Sequence, residues 1–366
     1  MNDLDEKIKT SLYENHVKLK AKIVPFSNFL MPVSYEKGLL HEYNSVRNNA
    51  GVFDVSHMGQ IIVKGKQSVD FLQIITVNNI DKMNNNSAQY NLICNIEGGI
   101  VDDIIILKQS INFFILIVNA SNIQKDYDWL VSQNNYNVEI VNKSDNYSLI
   151  ALQGPKSREI FNNIFNLRLN NKFYTFLNET IFDSEVIISR TGYTGELGYE
   201  ILSDHITIRK IWNKLIESNI VPCGLAVRDI LRIEMKYCLY GNDISDMTNP
   251  VGAGLKWVVD LSKKNFYGKD EIVQYSSNIN KEKLICFIMN KKAIPRNGYV
   301  ILLGGKKNGH VTSGTFSLGL NKGIGMGYVN SNAVKGIKKI RVLIRGKEMD
   351  ADIIIPPFIK NYSLYK

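Results

Sequence analysis

Three segments carry side chains whose types and spacing can do chemistry. In the first, Gly98 and Gly99 lead into Asp102 and Asp103, which open the apolar run Ile104–Leu107. Strand side chains alternate faces, so these two carboxylates point opposite ways and at most one can meet a given ligand. An apolar setting raises a carboxylate's affinity for a proton and suits it to accept one during a reaction. The same pattern also fits one acid opening a strand turn and one solvated acid. In the second segment, Arg190–Glu200 (RTGYTGELGYE), three glycines are interleaved with Tyr193, Tyr199, Glu196 and Glu200. Glycines let a ligand approach the backbone, tyrosines can stack on a planar heterocycle, and Glu200 can accept two parallel N–H bonds from an amino-pyrimidinone edge. A plain turn between two strands is the alternative. In the third, Leu225–Lys236, helical spacing places Arg228, Arg232 and Lys236 on one stripe. Like charges four apart cost a few tenths of a kcal/mol per pair, partly offset here by Asp229 and Glu234. The stripe is either a solvated face or a place where one arginine faces an anion.

Other chemistries find no support. Gly323–Gly327 lacks the spacing and the following helix of a dinucleotide site, and Gly304-Gly305-Lys306-Lys307 is not a phosphate loop. His16, His41, His57, His205 and His310 form no metal-ligand pair, so no metal site is expected. No Gly-x-Ser-x-Gly elbow occurs. Basic residues are spread rather than interleaved with aromatics, which argues against nucleic-acid binding.

The elements that must position these residues read as a mixture. Strands are expected at Ile61–Val63, Ile104–Leu107, Phe113–Val118, Ser148–Leu152 and Val186–Ser189. Helices are expected at Gly38–Asn49, Ser68–Ile75, Ile123–Gln133 and Lys156–Ile164, the last started by Pro155 and Ser157. Without regular strand–helix alternation the pattern is α+β rather than doubly wound. A polar connector, Gln274–Lys283, precedes short strands at Leu284–Met289, Val300–Leu303, His310–Thr312, Gly325–Val329 and Lys339–Ile344. The expected division is therefore residues 1–279, a body of two α+β lobes, and residues 280–366, a small β-barrel or sandwich.

A chain of 366 residues is long enough for two or three domains at roughly 150 residues each. With 45% hydrophobic and 22% charged residues, a disordered chain is excluded. The 44 Lys and Arg against 35 Asp and Glu give +9, which favours an anionic partner of any class. Cys94, Cys223, Cys238 and Cys286 sit among apolar neighbours without CxxC spacing and read as buried reduced thiols. The charged segment Met1–Thr10 has neither the apolar core of a signal peptide nor the character of a transit segment, and no apolar run reaches about 18 residues. A cytoplasmic protein without a membrane span is expected.

Taken together the segments resemble the aminomethyltransferases, the T-proteins of the glycine cleavage system. The matching strings are Met31–Tyr35 (MPVSY), Gly51–Met58 (GVFDVSHM), Gly98–Asp103 (GGIVDD), Ala151–Pro155 (ALQGP), Arg190–Glu200, Gly224–Asp229 (GLAVRD) and Leu239–Ile244 (LYGNDI). In the last part they are Ile294–Arg296 (IPR), Val311–Phe316 (VTSGTF) and Gly325–Val329 (GMGYV), and together they span roughly residues 25 to 362 in the family's order. The resemblance implies a three-lobed, cloverleaf-like folate-binding fold with tetrahydrofolate in the central hole. It also implies transfer of a one-carbon unit from the aminomethylated lipoyl arm of an acidic H-protein to tetrahydrofolate. The products would be 5,10-methylene-tetrahydrofolate, ammonia and dihydrolipoyl H-protein.

Residue by residue, it implies that Asp103 is the catalytic carboxylate, Glu200 the pterin-binding carboxylate, Arg228 a substrate-binding arginine, and Tyr362, across a one-residue gap, a substrate-binding tyrosine. Tyr90, Tyr193 and Trp257 would be pocket aromatics and Asn119 a pocket polar group. Two stretches depart from the family. Pro25–Leu30 stands where a Gly-rich stretch is usual, and Met235-Lys236 replaces a small pair, so the edge of the folate site is expected to differ. Folate-binding iron–sulfur-assembly relatives carry a cysteine that Asn265–Asp270 lacks. Sarcosine and dimethylglycine oxidases carry a flavin domain for which this chain has neither length nor motif.

Overall fold

Every apolar run read as a strand lies inside one. Ile61–Val63 falls in Gly59–Lys64, Ile104–Leu107 in Ile100–Ser110, Phe113–Val118 is a strand as read, and Ser148–Leu152 and Val186–Ser189 fall in Tyr147–Gln153 and Ser184–Ser189. The helices follow their apolar spacing: Ser68–Ile75 buries Ser68, Phe71, Leu72 and Ile75, one stripe of a 3.6-residue period. The computed structural model describes residues 7–366, so most of the charged segment Met1–Thr10 lies outside the described residues. Among the described residues no helix is long and apolar enough to cross a membrane.

Two expectations need correction. Ser157 does not cap its helix; the helix Ser157–Phe165 has no side-chain cap, and the buried Ser157 hydroxyl instead donates to Leu197 O at 3.0 Å. The connector Gln274–Lys283 is mostly ordered into elements: the helix Lys269–Ser277 runs into it and the strand Glu282–Met289 begins within it. Its polar composition reflects a helix with a single buried residue, Ile272, rather than a loop.

The strands form a three-stranded sheet, a six-stranded sheet, a five-stranded sheet and a closed six-stranded barrel. Among the described residues two strand pairings are parallel, Ile8–Lys9 with Phe29–Ser34 and Val221–Cys223 with Gly51–Asp54, and the other strand pairings are antiparallel, in keeping with an α+β chain. The six-stranded sheet takes Gly51–Asp54 and then nothing until Tyr147–Gln153, whereas all five strands between Gly59 and Asn142 form the other sheet. One lobe is thus inserted into another. The chain crosses out through Val55–Met58 and returns before Tyr147, which fixes the crossover residues between the two bodies.

The barrel is built from Glu282–Met289, Val300–Leu303, Lys306–Ser317, Lys322–Asn330, Lys339–Ile344 and Lys347–Ile354. Its core holds Phe287, Ile301, Val311 and Val342, all fully buried. Gly325 stands opposite Phe287, where a Cβ would come within 2.5 Å of the ring, so the small residue is what lets the aromatic fill the barrel. Beyond Ile354 the chain leaves the barrel: Phe358 N–H donates to Glu234 O at 2.8 Å, and Arg190 reaches Leu364 O at 2.6 Å.

Truncating Phe287 to Ala should cost about 3–5 kcal/mol in unfolding free energy, the range for a buried aromatic whose site cannot collapse. Urea melts showing a loss below about 1 kcal/mol would contradict this packing.

Candidate active site

The lobes enclose a cavity of about 1090 Å³. Asp103, Tyr90 and Asn119 reach it from the inserted lobe, Tyr193, Glu200 and Arg228 from the second, and Arg296 and Thr312–Gly314 from the barrel. Strand alternation across Ile100–Ser110 separates the two acids as expected. Asp103 faces the cavity, whereas Asp102 is fully buried on the opposite side.

Tyr90, paired with Ile105 on the neighbouring strand, donates its hydroxyl to Asp103 Oδ2 at 3.1 Å. Asn119 follows directly on the strand Phe113–Val118, and its side-chain amide donates to Asp103 Oδ1 at 2.9 Å and to Asp102 Oδ1 at 2.8 Å. Burial and the Asp102 charge push Asp103 up to about 7, outweighing the hydrogen bonds from Tyr90 and Asn119 that pull it down. A carboxyl poised near neutrality can take and release a proton at working pH.

Glu200 lies on the strand Gly198–Asp204, opposite Ala151 and Ser189. Thr191 Oγ1 donates to its Oε2 at 2.5 Å, which turns the carboxylate along the cavity wall. Tyr193 donates its hydroxyl to Cys238 O and stacks on Tyr237 with centroids 5.7 Å apart. The Arg228 guanidinium sits 4.8 Å above the Tyr193 ring and makes no ion pair among the described residues. Burial lowers the pKa of Arg228, opposed by the Glu200 charge. An arginine remains protonated even so, which leaves a cation without a direct ion pair among the described residues facing the cavity.

The arginine stripe is not a solvated face. Arg228, Arg232 and Lys236 all line the cavity, and Arg232 is fully buried against Asp243 at 2.6 Å, Asp229 at 2.8 Å and the Ser313 hydroxyl at 2.8 Å. Glu234 does not offset the stripe; it turns away to Arg47.

Two other readings change. Tyr199 is fully buried on the far face of its strand, accepting from Arg158 Nε at 2.9 Å, so Tyr193 alone of that pair is available for stacking. The glycines make room for the protein itself: a Cβ on Gly192 would meet Gln153 Oε1 at 2.1 Å, and one on Gly195, at φ +80°, would meet Met235 Sδ at 2.4 Å.

Trp257 stacks on Tyr90 at 5.8 Å but is 68% exposed, which puts it at the rim. Tyr362 is not brought into the cavity wall; it lies beside Tyr237, which is part of it. Both atypical stretches do reach the site, through Phe26 and Ser27 on one side and Met235 and Lys236 on the other.

Sequence reasoning missed His57, Tyr237, Tyr240 and Arg296 as wall residues. His57 stands in the Gly51–Met58 string and Arg296 in Ile294–Arg296, but only the lobe crossover and the barrel mouth show why these positions reach the centre. The four cysteines are free and buried, as expected, with their thiol pKa values raised by burial. Among the described residues no group of three or more His, Cys, Asp or Glu side chains has the arrangement of a metal site.

Comparison with known proteins agrees along the whole chain. The family model described as the GCVT N-terminal domain matches residues 12–263, and the glycine cleavage T-protein C-terminal barrel domain matches residues 282–360. An aminomethyltransferase of Halothermothrix orenii is 41% identical over 356 residues, covering 96% of this chain and 99% of the relative. One from Chloroherpeton thalassium is 43% identical over 357 residues, covering 96% and 98%. The crystal structure of glycine cleavage system aminomethyltransferase T from Bartonella henselae superposes with a TM-score of 0.91 at 30% identity, covering 98% of this chain and 99% of that one.

The site also carries a pH liability. Burial, with a smaller contribution from the Arg228 charge, holds His57 down at about 4, opposed by Asp54. A histidine with a folded pKa below its unfolded value near 6.5 is protonated first in the unfolded chain. Its contribution is present above about pH 6.5 and is lost as pH falls toward 4. Moving from pH 7 to pH 5 should therefore cost the parent about 2 kcal/mol more stability than it costs His57→Gln, measured by urea melts at both pH values. Equal losses would show that His57 does not titrate in this way.

Proposed function

The chain belongs to the glycine cleavage T-protein family, and on that premise we propose how its cavity serves aminomethyl transfer. The protein is an aminomethyltransferase of the glycine cleavage system. The observation that carries the reading of the site is that Asp103 and Glu200, from different lobes, line one cavity together with Arg228.

Tetrahydrofolate is the co-substrate in this reading. A cavity of about 1090 Å³ accommodates a bicyclic head and an extended tail. Glu200, steadied by Thr191, accepts two N–H bonds from the amino-pyrimidinone edge. Tyr193 presents its ring nearby, and Arg228, a cation without an anionic partner, meets a folate carboxylate.

The donor is the aminomethylated lipoyl arm of H-protein. As ammonia leaves, the lipoyl sulfur stabilises the electron-poor carbon, and a folate amine attacks it to form the first N–C bond. Asp103 orients that amine and takes its proton. The dihydrolipoyl sulfur then departs with the C–S electron pair, which leaves an iminium carbon on the folate. The second folate amine attacks this carbon and closes the methylene bridge, and the two amine protons end on ammonia and on the sulfur. Tyr90 and Asn119 hold Asp103 in the orientation that does this. The diffuse positive charge of the chain, +9 overall, suits an acidic carrier protein.

We also take the division near residue 280 as the boundary between the folate-binding body and the barrel. The four free thiols fit a reducing compartment such as the cytoplasm.

Purified protein mixed with aminomethyl-lipoylated H-protein and tetrahydrofolate should release ammonia in a folate-dependent way. Asp103→Ala should bind folate almost normally while turnover falls about 10²–10⁴-fold, the usual weight of a positioned acid–base group; turnover equal to the parent would remove Asp103 from the mechanism. Glu200→Gln should weaken folate binding by about 1–3 kcal/mol, and unchanged affinity by calorimetry would contradict its role.

A further inference from the structure

Behind Asp103 lies a second pair of carboxyl groups that the reaction described above does not use. Asp102 and Asp126 are both fully buried, and Asp126 stands four residues, one helical turn, beyond Asn122, whose side chain is bonded to Asp102; the two carboxyl groups act on each other's proton affinity. Their partners are unequal. Asp102 accepts three kinds of N–H donor: the Asn119 backbone at 3.1 Å, the Asn119 side chain at 2.8 Å and the Asn122 side chain at 2.6 Å. Asp126 has no hydrogen-bond donor on either oxygen. Two carboxylates in contact cannot both ionise in a buried site. The one saturated by N–H groups carries the charge, and the one without donors carries the proton.

We propose that Asp126 is a positioning residue for the reaction: its carboxyl group shares one proton with Asp102 and so clamps Asn119 against Asp103. Asp126 sits on the helix Ile123–Ser132, immediately after Asn119 and Asn122, so one short segment delivers both amides and the acid to the back of the strand. The other charged or titratable groups facing the pair are Asp103, Lys125 and Tyr240, and Asp246 lies beyond Tyr240. Lys125 does not neutralise Asp126, because its Nζ is committed to Val101 O at 2.5 Å and the Tyr240 hydroxyl at 2.8 Å. Burial and the neighbouring Asp102 push Asp126 up to about 11, in agreement with a proton held throughout the working range. The same Asn119 amide bridges Asp102 and Asp103, so the shared proton acts on Asp103 through one side chain.

This inference rests on Asp103 as the proton-accepting group, and the test separates the two claims. Asp126→Asn keeps a neutral N–H donor toward Asp102, whereas Asp126→Leu removes it. In folate-dependent ammonia release, Asp126→Leu should lose about 10–100-fold in kcat with KM for tetrahydrofolate within about threefold. Removing a donor from the anionic pair raises its proton affinity, so the acid limb of its pH profile should move up by about one unit. Asp126→Asn should keep the parent's kcat within about threefold and the parent's acid limb. Parent-like kcat and acid limb in Asp126→Leu, or equal damage in both variants, would overturn the proposal.

Infrared difference spectra at about pH 8 give a readout free of activity and of the Leu variant's folding. The C=O stretch of a protonated carboxylic acid should be present in the parent and in Asp103→Ala and absent in Asp126→Asn. No difference between the parent and Asp126→Asn would overturn the shared proton, whereas parent-like turnover in Asp103→Ala would overturn the Asp103 reading instead.

Discussion

Lobes that share a central cavity cannot be joined at that centre by apolar packing, because the centre must admit substrate; around it, buried charge does the joining. Arg47 is the node. Its two terminal nitrogens reach Glu196 at 2.7 Å and Glu234 at 2.5 Å, all three side chains being buried. Glu234 also accepts from the Tyr43 hydroxyl and, at 2.6 Å, from Ser317 on the barrel, while Glu196 receives Ser363 from the C-terminal tail. One guanidinium thus ties a helix, a glycine-rich loop, the end of the arginine-bearing helix, the barrel and the tail. Such a pair contributes little net stability over apolar packing, but removing one partner strands a buried charge and costs several kcal/mol. Its consequence is geometric: the lobes meet in one arrangement.

Within that frame a single strand does two jobs. Alternation sends Asp103 into the cavity and Asp102 behind it, and Asn119 reaches around to touch both. The face turned to the cavity and the face that holds Asp103 in place are therefore one residue apart. The wall opposite works differently. Arg232 is consumed by Asp243, Asp229 and Ser313, whereas Arg228 and Lys236 line the cavity without an ion pair among the described residues.

Much of this was legible in the residues, and the limits have physical causes. Strands with strong apolar alternation and several helices with a 3.6-residue stripe were found, because burial on one face writes a period into the sequence; the helix His205–Glu217, which buries Ile208, Ile211, Trp212 and Leu215, was not. The end of the helix Lys269–Ser277, from Gln274 on, was read as part of a connector since the helix buries only Ile272 and has no stripe to show. Asp103 and Glu200 stood out because an acid beside apolar or glycine-rich residues is locally unusual. Tyr199 could not be told from Tyr193 as a stacking residue because spacing alone does not say which strand face is inward. The insertion of one lobe into another left no mark, since sheet partners far apart in sequence are a matter of closure and not of local pattern. That is why His57, held at the crossover, was invisible as a wall residue. Asp126 was hidden for a related reason: inside a helical pattern it looks like any polar residue until the fold sets it against Asp102.

The measurement that bears most directly on the site is a crystal structure of the protein with tetrahydrofolate bound. The expected result is the amino-pyrimidinone edge paired with the Glu200 carboxylate and a folate amine within hydrogen-bond reach of Asp103, about 2.6–3.2 Å. Folate seated outside the cavity, or within it with neither Glu200 nor Asp103 in contact, would contradict the assignment of both residues.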